Sequence, residues 1–316
     1  MEKRKLGRTA LSIAPLVFGG NVFGWTADEP TSFRLLDAFT DAGFNAIDTA
    51  DVYSAWAPGN KGGESETIIG KWLRQSGRSR ESVVLITKVG SDLGEGRKGL
   101  SKRWIMQAVE DSLKRLQTDH IDLYLSHWPD ADTPYDETLS AYQSLIEAGK
   151  VRHIGASNLD ADQLRSALDT AAARGLPRYD VLQPEYNLYD RGGFDGPLRN
   201  LCLSEEIGVI TYFSLASGFL SGKYRSHKDV EGKTRGEAVA KYLDGRGMRI
   251  LNALDEVAAS RQAKPAEVAL AWLMARRGVT GPIASATSLE QVQSLIRSAD
   301  LTLSEEELRL LNEASD

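Results

Sequence analysis

A closed (β/α)8 barrel, the TIM-barrel form of the α/β class, is the fold this 316-residue sequence predicts. Three observations predict it. Short apolar runs alternate with segments of helical period, and eight such pairs follow at nearly even spacing, which implies a parallel sheet with helical crossovers. The G-x-G-x-x-G turn of a dinucleotide-binding open sheet is missing after the first run. Nearly every run ends on a polar residue, as expected where strand ends surround one mouth. No shift in composition marks a boundary, so residues 1–316 are read as one domain.

The elements follow in order. The start, MEKRKLGRTALSIAPLVFGG, has the basic head and apolar continuation of a signal peptide. Arg8 and Pro15 interrupt it, and no small-residue cleavage site follows. It is read instead as a hairpin of residues 3–6 against 11–14. Leu16, Val17 and Phe18 form the first strand and run into Gly19 and Gly20. Leu35, Leu36, Phe39 and Ala42 give a helix stopped by Gly43. Residues 44–47 are a strand ending at Asp48, and Ile68, Ile69, Trp72 and Leu73 mark the next helix. The β-branched run 83–87 ends on Lys88, and a long helix carries Ile105, Val109, Leu113 and Leu116. The strand 121–126 ends on His127, and its helix, with Leu139 and Leu145, stops at Gly149. The strand 151–156 ends on Ser157 and Asn158, before a helix stopped by Gly175. Val181 and Leu182 lead to Gln183, and a less periodic helix covers about 197–206. Residues 209–211 end on Tyr212.

The rhythm then breaks. Residues 216–247 are rich in Gly, Lys, Arg and Ser and read as a long functional loop after strand 7, since the pattern resumes beyond it. Helices at 252–260 and 265–276 follow, the second with Pro265 in its first turn. Residues 282–284 are the eighth strand, ending on Ser285. Ser288 with Gln291, and Ser304 with Glu307, open the last two helices as capping boxes.

Composition excludes several function classes. The net charge of −6 is spread without a basic block, which argues against a nucleic-acid partner. The lone Cys202 rules out a disulfide framework and fits a reducing, cytoplasmic setting. No apolar run approaches the roughly 18–20 residues that span a bilayer, so no membrane association is expected. No metal is assigned, and the oligomeric state leaves no trace in the sequence.

The chemistry collects at the strand ends. Gly20, Asn21, Asp48, Lys88 and His127 stand there, as do Ser157, Asn158, Gln183, Tyr212 and Ser285. One polar strand end is usually just the start of a solvated loop. A set that adds the phenol of Tyr53, five residues beyond Asp48, is harder to dismiss. Lys88 beside Asp48 would form a buried ion pair. Lys88 beside Tyr53 would draw the phenol pKa, ordinarily about 10, toward neutrality. Tyr53 can then exchange a proton with a substrate oxygen, and neutral His127 can hydrogen-bond the same oxygen. The bland readings are a structural ion pair and a buried, satisfied histidine.

A proton relay aimed at one oxygen suits carbonyl reduction or alcohol oxidation, with a small carbonyl or alcohol as substrate. The hydride must come from a cofactor, because no side chain donates one. Ser157, Asn158 and Gln183 can hold a carboxamide, and Tyr212 offers a face for stacking a ring. Lys223, Arg225, Lys233 and Arg235 in the long loop can meet phosphates. Trp25, Trp56 and Trp128 can wall an apolar substrate pocket. A second reading keeps the barrel but makes Lys88 the Schiff-base nucleophile of an aldolase-type lyase.

These residues bring a family into view. The blocks FNAIDTADVY, LITKVG, DLYLSHWPD, IGASN, QPEYNLYDR and FSLASGFLSGKYR occur in an order that resembles an aldo-keto reductase across nearly the whole chain. The long loop resembles the bacterial and potassium-channel-β-like branch. The resemblance implies a tetrad of Asp48, Tyr53, Lys88 and His127, with Tyr53 as general acid. It implies that Ser157, Asn158 and Gln183 hold the nicotinamide amide and that Tyr212 stacks on its ring. It further places Ser214, Leu215, Gly218 and Lys223 along the pyrophosphate, and Ser285, Thr287 and Gln291 by the adenosine. One departure stands out: many members carry Arg or Lys where Thr287 stands, and Glu-Asn where Ser294 and Leu295 stand. Arg235 or Lys233 would then supply the charge for a 2′-phosphate. NADP(H) is expected as cofactor, with NAD(H) usable. The resemblance to channel β proteins also leaves a cofactor-sensing regulatory subunit as an alternative.

Overall fold

The computed structural model describes residues 2–233 and 235–316. An antiparallel hairpin comes first: β1 (Arg4–Lys5) pairs with β2 (Ser12–Ile13). The chain then alternates β3 (Val17–Gly19), α1 (Glu29–Asp41), β4 (Ala46–Asp48), α2 (Glu64–Gln75), β5 (Val84–Val89) and α3 (Lys102–Leu116). It continues with β6 (Ile121–Ser126), α4 (Tyr135–Glu147), β7 (Val151–Ser157), α5 (Ala161–Arg174), β8 (Val181–Gln183), α6 (Pro197–Ser204) and β9 (Gly208–Thr211). After the long connection come α7 (Gly236–Ala240), α8 (Gly245–Arg261), α9 (Pro265–Ala275), β10 (Gly281–Ala284), α10 (Leu289–Asp300) and α11 (Glu305–Ser315). Strands β3 to β10 are parallel and close on themselves, β10 pairing with both β3 and β9. The molecule is the (β/α)8 barrel with the N-terminal hairpin that its sequence predicts.

Burial explains why these runs are strands. Every residue of β5 and β6 is buried, so neither strand has a solvated face, and both are mostly apolar. Inward-facing Val17, Ala46, Ile86, Leu123, Val181 and Ile210 fill the barrel, and Leu6 and Ile13 of the hairpin join them from below. The hairpin therefore plugs the floor. The outward faces pack against the helices in a second, larger core.

Three details differ from expectation. Residues 216–247 are not one loop: short 3-10 turns at Ala216–Ser221 and His227–Val230 precede α7 and the start of α8. Helix α8 begins at Gly245, well before its apolar period shows, because Asp244 caps it by accepting Gly247 N–H at 2.7 Å. The expected capping box at Ser304 is complete, with Glu307 taking Ser304 N–H at 2.7 Å. At α10 only half forms. Ser288 accepts Gln291 N–H, but the Gln291 side chain takes the N–H of Thr287, not of Ser288. Among the described residues no helix is long and apolar enough to cross a membrane.

The topology carries the chemistry to one rim. Asp48 ends β4, Lys88 is next to last in β5 and His127 follows β6. Ser157 and Gln183 end β7 and β8, while Tyr212 and Ser285 follow β9 and β10.

Candidate active site

The turn after β4 sets the phenol. Ser54 takes a left-handed φ of 73°, and its hydroxyl donates to Phe23 O at 2.6 Å. This holds the preceding Tyr53 above Asp48. Lys88 lies fully buried below. Its ammonium has three donors and three acceptors: Asp48 Oδ2 at 2.7 Å, Thr49 O at 2.8 Å and the Tyr53 oxygen at 2.8 Å. The other Asp48 oxygen accepts Gln183 Nε2 at 2.8 Å, and the Tyr53 hydroxyl donates to Asp48 Oδ2 at 3.3 Å. A buried ion pair is tolerated when its remaining protons and lone pairs are met, as they are here. Across the same cavity stands His127, its ring centroid 6.0 Å from that of Tyr53. Trp128 stacks on it at 5.8 Å.

The electrostatics run against one expectation. Burial first, and then the charge of Asp48, push the Tyr53 phenol well above its ordinary pKa. The Lys88 ammonium, itself matched by Asp48, does not outweigh burial and the carboxylate that reaches the same hydroxyl. Tyr53 lines the cavity, and its oxygen is bonded to the buried Lys88 and Asp48. Burial lowers the Lys88 pKa against the pull of Asp48. Burial, then the Lys88 charge, hold His127 well below its ordinary value, so the imidazole is neutral. The cavity thus presents a protonated phenol facing a neutral imidazole.

The next strand ends are wired together. Ser157 Oγ donates to Gln183 O at 2.7 Å. Asn158, at a left-handed φ of 61°, donates to His127 O at 2.9 Å and accepts the Tyr212 hydroxyl at 2.6 Å. From here a cavity of about 490 Å³ runs to residues 213–218 and Arg235. Left-handed backbone recurs at Phe213, Ala216, Ser217 and Gly218, a form of strain that gathers at ligand clamps. On the facing wall Gly19 leaves room a side chain would fill: a Cβ there would lie 2.6 Å from Ser285 Oγ. Arg235 lies 5.3 Å over the Trp25 ring, and among the described residues no carboxylate pairs with it.

Residues 15–316 match the model of the aldo/keto reductase family. The chain belongs to that family. Its relatives include an uncharacterized oxidoreductase, YrpG, of Bacillus subtilis, 36% identical over 99% of this chain and 95% of its own length. A probable voltage-gated potassium channel subunit beta of Oryza sativa subsp. japonica is 32% identical over 95% of this chain and 92% of its own. Aldo-keto reductase YhdN of Bacillus subtilis is 32% identical over 96% and 88%. The chain thus resembles both bacterial members and channel-β-like ones.

Most of the residues expected at the site of an aldo/keto reductase come together. Asp48, Tyr53 and His127 line one end of the cavity, with Lys88 directly beneath. Asn21, Ser157, Asn158, Gln183 and Tyr212 line its middle. Ser214, Leu215, Gly218, Arg235 and Ser285 line the far end, and Trp56 and Trp128 stand at the mouth. Five residues lie elsewhere. Gly20 turns away, its carbonyl bonded to Ser65 Oγ at 2.8 Å. Lys223 is exposed, with its ammonium over the Tyr224 ring. Thr287 and Gln291 bond to each other at the start of α10. Trp25 packs edge-on against Trp56 in an adjoining pocket.

The cavity also holds residues that sequence reasoning misses. Glu185 was findable, since it stands two positions beyond Gln183 and pairs with Tyr212 as a continuation of the strand. Ser91, Phe213 and Ser217 sit on turns, where no periodicity points inward.

Proposed function

We propose that this aldo/keto reductase is an NAD(P)H-dependent oxidoreductase that reduces aldehydes or ketones to alcohols, reversibly, with Tyr53 as general acid. One observation carries the reading: a protonated phenol, bonded to the buried Lys88–Asp48 pair, faces a neutral imidazole across one cavity. A carbonyl oxygen between them would accept a hydrogen bond from each. Tyr53 would give its proton to that oxygen, and the Lys88 ammonium would meet the phenolate left behind. His127 would orient and polarise the same oxygen. The nicotinamide supplies the hydride when bound. The donor set suits that cofactor. Ser157, Asn158 and Gln183 offer amides and hydroxyls for a carboxamide, and Tyr212 a ring face. Ser214, Leu215 and Gly218, on the coiled backbone, suit a pyrophosphate. Trp56 and Trp128, each about half exposed, would wall an apolar substrate, with Trp25 behind. The names of the bacterial relatives support the class. A cytoplasmic location is proposed with it, in line with the single, buried Cys202.

The aldolase-type reading has less support. A Schiff-base lysine must meet its substrate as a free amine, and Lys88 is fully buried with all three N–H groups engaged. The regulatory-subunit reading is favoured only by the plant relative's name. Turnover separates it from catalysis: a panel of aldehydes and ketones is offered with NADPH and with NADH, and oxidation of the nicotinamide is followed. No turnover on any member would overturn the reductase reading.

The same assay tests cofactor choice. Among the described residues Arg235 is the only guanidinium lining the cavity. Where the adenosine is expected, Ser294 donates to Glu267, which also takes Arg297. NADPH is therefore expected to show the lower KM, with NADH accepted, and Arg235→Ala is expected to raise the KM for NADPH more. A clear NADH preference would remove Arg235 from that role.

The pKa directions predict a flat profile. The phenol titrates above its ordinary value and the imidazole below its own, so neither changes charge between about pH 6.5 and 10. The reduction rate at saturating substrate is expected to hold across that range. It should fall in acid as His127 gains a proton, and in strong alkali as Tyr53 loses one. An alkaline fall centred near neutrality would show that Lys88 commands the phenol after all.

A further inference from the structure

Strand β5 ends at Val89, whose carbonyl accepts the backbone N–H of His127 at 2.8 Å. Gly90 follows at a φ of 116°, a conformation open to glycine and costly for other residues. It turns the chain so that Ser91 joins the cavity wall. Ser91 is 8% exposed, and its Oγ lies 2.9 Å from Nδ1 of His127, itself 9% exposed. The segment carrying Ser91 is pinned. Gly99 N–H donates back to Gly90 O at 3.1 Å, and Asp130 accepts Leu100 N–H at 2.7 Å. Among the described residues, no other group shares the Ser91 hydroxyl.

The polarity of that contact matters. A neutral imidazole carries one N–H. If it sits on Nδ1, Nε2 is a lone pair and repels a carbonyl oxygen; if it sits on Nε2, the ring can donate to that oxygen. The usual partners of Nδ1 are backbone carbonyls and carboxylates, which only accept and so hold the proton on Nδ1. Here the partner is a hydroxyl, which, unlike them, is able to donate to a bare Nδ1.

We propose that Ser91 is a positioning residue: its hydroxyl donates to Nδ1 of His127 and so fixes the imidazole as the Nε2–H tautomer that hydrogen-bonds the substrate oxygen. This rests on the reading of His127 as the group that orients that oxygen. Ser91 needs no contact with substrate or cofactor. It acts through the ring, together with the Trp128 face that holds the ring plane.

The test uses the full chain with isotope-labelled histidine ring nitrogens, read by proton–nitrogen correlation NMR, with His127→Asn to assign the signal. The parent protein should show His127 protonated at Nε2. Ser91→Ala should shift the ring toward the Nδ1–H form. It should also lower kcat roughly ten- to hundredfold, the range for losing an outer partner that fixes a histidine, with the cofactor KM unchanged. Ser91→Thr, which keeps the hydroxyl, should recover most of both effects; a merely packing role would leave the tautomer where it was. A parent His127 protonated at Nδ1 overturns the inference, and this reading needs no variant to fold. So does an Ser91→Ala protein with unaltered tautomer and kcat. The NMR result stands apart from turnover, so an Nε2–H ring in a protein that reduces no carbonyl would sink the reductase reading and leave the Ser91 contact established.

Discussion

Tyr53→Phe is expected to lower kcat for carbonyl reduction by about 10²–10⁴-fold, the usual share of a positioned general acid, while the dissociation constant of the nicotinamide cofactor stays as it was. The split follows from the geometry. The Tyr53 oxygen bonds only to Lys88 and Asp48, whereas the groups suited to a carboxamide hang on one another from Ser157 to Tyr212 and meet Asp48 through Gln183 Nε2. Removing one oxygen breaks no bond of that second network. It also leaves one Lys88 N–H without its acceptor, a loss of roughly 1–3 kcal/mol for a buried donor. The variant should therefore melt somewhat lower yet still titrate with cofactor. Fluorescence titration and steady-state kinetics on the same preparation check both halves. Parental turnover in the variant would remove Tyr53 as proton donor; loss of cofactor binding would mean that the change passes through the Gln183–Asp48 link.

How far this site is legible in the sequence depends on what each residue needs. Asp48, Lys88 and His127 stand at the ends of apolar runs, and a barrel brings all such ends to one rim; strand position alone nearly places them. Tyr53 is legible from its distance to Asp48. The difference between Gly19 and Gly20 is not, because neighbouring residues face opposite ways and only the register of β3 decides which lines the cavity. Nor is Ser91, which Gly90 swings inward at a turn where no apolar period points to the cavity. The direction of the phenol pKa is hidden for a different reason. It turns on whether Lys88 acts as a lone cation or as half of a matched pair, and on how deep the hydroxyl lies. Thr287 and Gln291 show the converse. Their side chains read as ligand groups in the sequence, and the structure adds a local role, Gln291 accepting both the backbone N–H and the hydroxyl of Thr287 at the start of α10. The helices within 216–247 escape detection because their pieces, of four to six residues, are too short to show an apolar period, and α8 starts there on a cap in place of one.

Lys88→Met should be the most damaging single change to stability at the site, costing about 3–5 kcal/mol, as expected when one partner of a buried ion pair is removed, and it should abolish turnover. The ammonium is fully buried, and Asp48 is 1% exposed. Without it Asp48 keeps only Gln183 and the Tyr53 hydroxyl as donors. The neighbourhood offers no relief. Glu66 is already taken by Arg115 and Thr87 at 2.6 Å each. Asp51 is buried with neither carboxyl oxygen hydrogen-bonded, and burial, then the Glu66 charge, hold its pKa well above the ordinary range. One more uncompensated carboxylate there must either stay charged at high cost or take up a proton. A double-mutant cycle separates the pair from its surroundings. Asp48→Asn with Lys88→Met removes both charges, so the double variant should be distinctly more stable than Lys88→Met alone, though still inactive because Tyr53 has lost the cation that meets its phenolate. Denaturant melts of the four proteins measure the coupling. Strictly additive losses would show that Lys88 and Asp48 do not act as one pair, and the account of a protonated Tyr53 beside a matched ion pair would fall with them.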